Sequence, residues 1–414
     1  MQENYDAIVV GGGPSGATAA ALLAQAGWRV AVVEKVPFPR RKVCGEFISE
    51  TTWPLLRDLG VAGPLLKIAG PPVRRIGLYA GTVMVTAKLA SAAGWSQSGG
   101  GRAVGREHLD TLLLQRAAAA GATIWQPCAL SQLVERDGGY ECTIIDRGTR
   151  RSRVLRSALI VAAHGSWESG PLPTQNLRRP SRPSDLFGFK AHFMGSTLPR
   201  DLMPLLAFPG GYGGMVRTDA DRVSLSCCIR RDQLERCRRR SPDARAGEAV
   251  LLHIASSCRG VSLALAATTL DGVWLSSGPL RTGIRTFGRG GIFAVGNAAA
   301  ETHPIVAEGI SIAIQSATLL CEQLIAHPQF RDIRAGSARA FKGARDSYAL
   351  AWRTNFSPRL FVAALFASVF TRTIATRIAS TLVERFPQLL SEGARWSGKT
   401  QTLRLIRSSG RVPL

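Results

Sequence analysis

The spacing of apolar positions changes twice within the first 34 residues. Ala7-Ile8-Val9-Val10 is an unbroken apolar run that stops at Gly11-Gly12-Gly13-Pro14, the pattern of a buried strand ending in a turn. Ala17 to Ala26 is rich in alanine and leucine, which predicts a helix, and Gly27 ends it. Arg29 to Val33 then reads as a second strand, so the segment predicts a βαβ unit. Further on, Ile76 to Leu89 reads as two short strands around Gly81, and a glycine-rich flexible stretch runs from Gly94 to Gly101. Glu107 to Ala120 has helical spacing with Gly121 behind it, and strand-like runs follow at Ala122 to Trp125, Tyr140 to Asp146 and Ala158 to Ala162. The proline- and arginine-rich Pro171 to Pro183 reads as a linker. Phe187 to Phe193 and Val223 to Ile229 read as antiparallel strands joined through a Pro209-Gly210-Gly211 turn. Gln233 to Cys258 is helical in pattern and broken near Ser241-Pro242, Gly291 to Val295 is a further buried strand, and Ala307 to Leu324 is a long apolar helix. From about residue 331 the chain is arginine-rich with helical spacing, and no internal repeat is visible.

Composition adds a strong charge. The formal net charge is +23, and 45 of the 52 basic residues are arginine. Such a field attracts anions, including nucleotides, acidic carriers and anionic lipid, although a genome rich in arginine codons produces the same excess. Nucleic acid is not expected as a partner, because the densest basic run, Arg236-Cys237-Arg238-Arg239-Arg240, is short and has no interleaved aromatics. The 8 cysteines show no metal-type CxxC pair and predict free thiols in a reducing cytoplasm. The histidines match no zinc spacing, and no metal is expected. No secretory leader is recognised, and no apolar run reaches the roughly 18 to 20 residues that a membrane-spanning helix needs. Phe356 to Phe370 is largely apolar with Arg353, Arg359, Arg372 and Arg377 in or beside it, which predicts a weak contact with a membrane surface.

Gly11-x-Gly13-x-x-Gly16 sits between the first strand and the first helix. The first glycine permits the tight turn, the second allows backbone N–H groups to approach a pyrophosphate, and the third permits helix and strand to pack closely. Pro14 and Ser15 open the helix inside this turn. Glu34 closes the second strand where a carboxylate takes a ribose hydroxyl pair, so FAD or NAD fits and NADP does not.

A second region distinguishes the two cofactors. Gly291-Ile292-Phe293-Ala294-Val295-Gly296-Asn297-Ala298-Ala299 continues through His303-Pro304 to Glu308-Gly309-Ile310. With these residues the sequence resembles the flavoprotein superfamily of geranylgeranyl reductases, flavin-dependent halogenases and p-hydroxybenzoate hydroxylase-type monooxygenases. The resemblance implies FAD, with position 297 on the ribityl chain, Pro304 near the isoalloxazine ring and the helix at Gly309-Ile310 aimed at its pyrimidine edge. A helix N-terminus there stabilises the negative charge of a reduced flavin. The family has aspartate where this chain has Asn297, whose amide still hydrogen-bonds a hydroxyl. Pro37-Phe38-Pro39-Arg40-Arg41-Lys42-Val43-Cys44-Gly45-Glu46 resembles the reductase and halogenase branch. There Lys35 and Arg41 are candidate phosphate contacts, and Cys44 is a candidate at the flavin or a plain packed thiol. By the same resemblance Arg106 contacts FAD. Leu206 to Gly214 resembles a substrate-side segment in which Phe208 and Tyr212 border the pocket. Ala163-His164-Gly165 stands where the family usually has Asp-Gly, and the Trp-x-Trp-x-Ile-Pro signature of tryptophan halogenases is absent. The resemblance covers about residues 5 to 325.

These readings predict an α/β flavoprotein with a Rossmann-like FAD-binding domain, an antiparallel β-sheet substrate domain and a helical C-terminal part. The expected boundaries are 1–75, 103–185 and 281–330 for the discontinuous FAD domain, 76–102 and 186–280 for the substrate domain, and 331–414 for the C-terminal part. The leading expectation is a monooxygenase acting on an apolar, aromatic or polyketide-like small molecule, reduced by NAD(P)H or by a separate reductase. Reduction of carbon–carbon double bonds in an isoprenoid lipid is the alternative, and a flavin-binding protein without turnover is a third reading.

Overall fold

The structure, a computed structural model, describes residues 3–89, 100–136, 138–166, 169–175, 180–326, 334, 337–399 and 401–403. Most of the glycine-rich stretch beginning at Gly94, the middle of the Pro171 to Pro183 segment, His327 and the last eleven residues of the expected C-terminal part lie outside them.

Two sheets organise the chain. The first runs Gly288–Arg289, Ile292–Ala294, Ser152–Ala162, Glu3–Val10, Val30–Val33, Thr123–Trp125, with Cys128–Arg136 and Gly139–Asp146 attached through Ser152–Ala162. Its centre is parallel, Ile8 pairing with both Ile160 and Ala31. Strands buried on both faces need apolar side chains at every position, and Ala7 through Val10 are all buried. The helices Pro14–Gln25 and Gly309–Ile325 cover this sheet, and small residues on the first (Ala17, Ala19, Ala20, Ala21) permit the close approach.

The second sheet runs Thr269–Leu280, Leu186–Met194, Val223–Arg230, Gly211–Arg217, Leu202–Phe208, Arg75–Ala80, Val83–Lys88. All neighbours are antiparallel except Leu202–Phe208 with Arg75–Ala80. Phe189, Ala191 and Phe193 face a core shared with the helices Arg231–Arg240, Ala246–Ser257 and Arg259–Leu265. The opposite face meets Ala367, Phe370 and Val383 of the C-terminal helices.

Those helices belong to the body of the protein. Ala338–Phe370 buries Tyr348, Trp352 and Phe356 in the first core, and the Tyr348 hydroxyl donates to the Ala294 carbonyl at 3.0 Å. Its far end reaches the second sheet, where the chain turns by 107° into Thr373–Arg385, followed by Gln388–Trp396. Among the described residues no single helix is long and apolar enough to cross a membrane.

One local expectation needs correction, and two strands were not foreseen. The Pro209-Gly210-Gly211 turn joins Leu202–Phe208 to Gly211–Arg217, a hairpin on the far side of Val223–Arg230, and the two strands it was expected to connect pair directly with each other. Thr269–Leu280 is an unforeseen edge strand, because Asp271, Gly272, Gly278 and Pro279 break the apolar alternation and its pairing carries register shifts. Cys128–Arg136 is likewise a strand, half exposed and too mixed to read by period.

Candidate active site

The glycine turn is sterically obligatory at two of its three positions. A Cβ on Gly16 would lie 1.8 Å from the Gly11 carbonyl oxygen, and one on Gly11, whose φ is +107°, would lie 2.5 Å from that of Ala163. Gly13 differs, since a Cβ there would meet nothing nearer than the Arg106 guanidinium at 3.9 Å. That open side belongs to a cavity, and the helix Pro14–Gln25 starts there with no side-chain cap and no acid in its first turn. Its first N–H groups therefore stand ready for an anion. Glu34, buried at the strand end, accepts from the backbone N–H of Gly12 at 2.8 Å and of Val36 at 2.9 Å, with Arg40 at 3.1 Å.

The later motif arrives from the adjacent parallel strand. Gly296 has φ +56°, and a Cβ there would press on the Ser15 side chain at 2.6 Å, so it keeps the two motifs close. Asn297 donates through Nδ2 to the Ser166 hydroxyl at 2.8 Å. Pro304 and Gly309 are the exposed residues of an otherwise mostly buried loop, and both open onto the cavity. Gly309 begins a helix without a side-chain cap.

One continuous cavity of about 680 Å³ joins these parts. Of the expected residues, Gly11, Gly13, Pro14, Ser15, Glu34, Lys35, Cys44, Arg106, Tyr212, Asn297, Pro304, Gly309 and Ile310 line it. Gly16 and Gly296 stand behind this wall and shape it. Two residues go elsewhere. Arg41 turns away and binds Asp271 at 3.0 Å and Glu107 at 3.3 Å, leaving Arg40 and Lys42 at the wall. Phe208 points to the other side of its strand and packs edge-on against His253, because adjacent strand residues face opposite ways.

The cavity has two chemical halves. Beside Tyr212 the lining includes Leu365, Phe366, Val369, Ala379, Val383, Leu389, Leu390 and Trp396 from the three C-terminal helices. The Tyr212 hydroxyl bonds His303 Nδ1 at 3.2 Å, and burial pushes its pKa well up. Burial also pushes the His303 pKa down, so both are neutral near pH 7. His164 lines the cavity, bonds Thr174 at 2.7 Å and is pushed down to about 4 by burial.

Sequence reasoning missed a buried charge cluster in the wall. Glu46, with no exposed surface and φ +63°, accepts from Lys190 through one oxygen and from His192 through the other at 2.8 Å. The Arg106 backbone N–H also reaches it at 3.3 Å. Burial alone would raise the Glu46 pKa, but the His192 hydrogen bond and the Lys190 charge hold it below its ordinary value. A signal existed in the sequence: Lys190 and His192 stand two apart in an apolar strand and must share a face. Lys399, bonded to the Val306 carbonyl and to Glu308, was not legible, since nothing local indicates that the segment after the last helix folds into the cavity wall.

The comparisons with known proteins agree with this geometry. Residues 4–330 match the FAD binding domain family. The chain belongs to that family, and its cofactor is FAD. Among curated relatives, the 1H-pyrrole-2-carbonyl-[peptidyl-carrier protein] chlorinase of Pseudomonas fluorescens is 43% identical over 68 residues, which is 16% of this chain and 15% of the relative. The match therefore spans a small part of that relative's length. Among solved structures, the myxobacterial chondrochloren halogenase CndH has a TM-score of 0.74 at 20% identity, covering 96% of this chain and 92% of the other. PqsL, a probable FAD-dependent monooxygenase from Pseudomonas aeruginosa, has a TM-score of 0.66 at 17% identity, covering 97% and 100%. At these identities the two structures show the fold, and they show it across nearly the whole chain.

The residues present fit FAD. The uncapped helix start, the open face of Gly13 and the carboxylate of Glu34 provide the groups that a dinucleotide needs.

Proposed function

We propose that this FAD-dependent oxidoreductase is a monooxygenase acting on an elongated apolar small molecule, with FAD in the polar half of the cavity and the substrate in the apolar half. The observation that carries the reading is that one cavity is lined both by the glycine turn, Glu34 and Asn297 and by apolar side chains of the C-terminal helices, against which Tyr212 packs. Bound FAD, once reduced, supplies the two electrons and the reaction with O₂ that insert one oxygen atom. The chain's own residues bind, orient and exclude water. Gly13 and the first turn of Pro14–Gln25 would hold the pyrophosphate, Glu34 the adenosine ribose and Asn297 the ribityl hydroxyls, and the uncapped helix start at Gly309 would stabilise negative charge on the reduced ring. Leu365, Phe366, Val369 and Val383 keep water from the substrate half. Tyr212 stays protonated through burial, and its hydroxyl, held by His303, orients a polar atom of the substrate.

The test supplies long-chain alkylphenols, NAD(P)H and a flavin reductase under ¹⁸O₂, and reads product mass. Incorporation of one ¹⁸O atom is the expected result. A hydrogenated product formed without oxygen from a polyprenyl substrate would replace this reading with reduction, and bromide incorporation would replace it with halogenation.

Asn297→Ala tests the cofactor half. Loss of the amide leaves a buried hydroxyl unpaired at about 1–3 kcal/mol, so FAD affinity falls by roughly 5- to 150-fold. Asn297→Asp retains binding. Titration of FAD into the apo variants measures both, and unchanged affinity in the alanine form would move the ribityl site elsewhere.

A further inference from the structure

We propose that the Thr373–Arg385 helix and the adjoining end of Ala338–Phe370 form a docking face for the surface of an anionic lipid bilayer, and that the apolar half of the cavity opens through it. Ile374, Ile378 and Leu382 are 77%, 59% and 49% exposed, and their spacing of four puts them on one side of the helix. Phe361 and Leu365, again four apart, extend the apolar surface on the preceding helix. Large apolar side chains in such concentration are unusual on a free surface.

Two further observations choose the occupant. Leu365, Leu389 and Trp396 are each about half exposed and also line the cavity, so they form the rim of its mouth. An apolar mouth set in an apolar face suits a molecule that arrives from a lipid phase. The charge agrees: Arg372, Arg377 and Arg385 are exposed along the same helix, and the whole chain carries +23. An interfacial helix with apolar residues on one side and arginines beside them lies in the plane of an anionic surface, its arginine stems reaching the headgroups. The face differs from the one expected from sequence. Phe356 and Arg359 are buried in the core, and most of the contact shifts to the helix after the bend.

Passage of substrate through the mouth rests on the proposed function, whereas docking does not. The test therefore reads docking without turnover. The FAD-loaded protein is floated with phosphatidylcholine vesicles with and without phosphatidylglycerol, and Trp396 emission is followed with brominated lipid. Expected are recovery with the anionic vesicles only, its loss at high salt, and a drop of about tenfold or more in binding for the Ile374→Glu, Ile378→Glu, Leu382→Glu variant, which keeps its bound FAD. Quenching by brominated lipid disappears in Trp396→Phe while flotation persists. Equal recovery on neutral vesicles, or unchanged binding by the triple variant, would overturn the proposal. So would a stable dimer that the triple variant dissolves in the absence of lipid, which would assign the face to a second copy. Failure of oxygenation with flotation intact would instead count against the proposed function alone.

Discussion

Gly16→Ala yields a chain that no longer retains FAD. Its new Cβ would lie 1.8 Å from the Gly11 carbonyl oxygen and 3.0 Å from the Ala163 Cβ, and the nearer obstacle is backbone that cannot swing aside. The helix start must move off the first strand, which carries the uncapped N–H groups away from the pyrophosphate. Overpacking of this kind costs about 1–3 kcal/mol of stability. Loss of the aligned turn weakens FAD by roughly two orders of magnitude, near 3 kcal/mol at 1.4 kcal/mol per decade. Gly13→Ala separates the two effects. Its Cβ has room within the protein but projects into the cavity, so thermal stability of the apo form stays near the parent while FAD binding falls. Apo-protein melting curves and FAD titration of both variants check the pair. Equal, modest effects at the two positions would mean that the turn is not the phosphate cradle.

Glu46→Ala produces the largest loss of stability. The substitution leaves Lys190 and His192 buried without their carboxylate, and a buried ion pair broken from one side costs about 3–5 kcal/mol. Glu46 also has φ +63°, a conformation that costs a non-glycine residue roughly 1–2 kcal/mol. Glu46→Gly relieves that strain and is therefore less destabilised than Glu46→Ala. Acid sensitivity follows from the depressed Glu46 pKa. A carboxyl ionised more readily in the folded than in the unfolded state adds stability above its ordinary pKa, and that stability is lost as pH falls through the folded value. Glu46→Gln removes this contribution, so its stability changes less with pH across that window. Denaturant melts from neutral to acid pH measure it. A parallel pH dependence in parent and glutamine variant would dismiss Glu46 as the acid-sensitive group.

The part of the cavity proposed for FAD was legible as a local pattern. A strand, a glycine turn and a helix follow one another within 30 residues, and Glu34 lies one strand away. Gly11 and Gly16 were readable because backbone contact forbids any other residue, and that constraint is written at the position itself. The apolar half was not legible. Its walls come from side chains more than 350 residues along the chain, and only the 107° turn after Phe370 brings Ala379 and Val383 back onto the second sheet. Arg41 was misplaced by one position, its neighbours Arg40 and Lys42 holding the wall, and Phe208 faces the helix-covered side of its sheet, while the adjacent Ala207 shares a side with Tyr212. In a strand or extended loop a shift of one reverses the side chain's direction, and composition does not report it.

Ala379→Trp tests the division of the cavity most directly. Ala379 lines the apolar half, on the helix that forms its wall, and an indole there fills space that the proposed function assigns to substrate. The measurement is FAD affinity together with the change in flavin absorbance when a long-chain alkylphenol is titrated into the FAD-loaded protein. The account predicts unchanged FAD affinity, with the alkylphenol signal and product formation both lost. Loss of FAD with the substitution, or an alkylphenol response equal to the parent's, would contradict it.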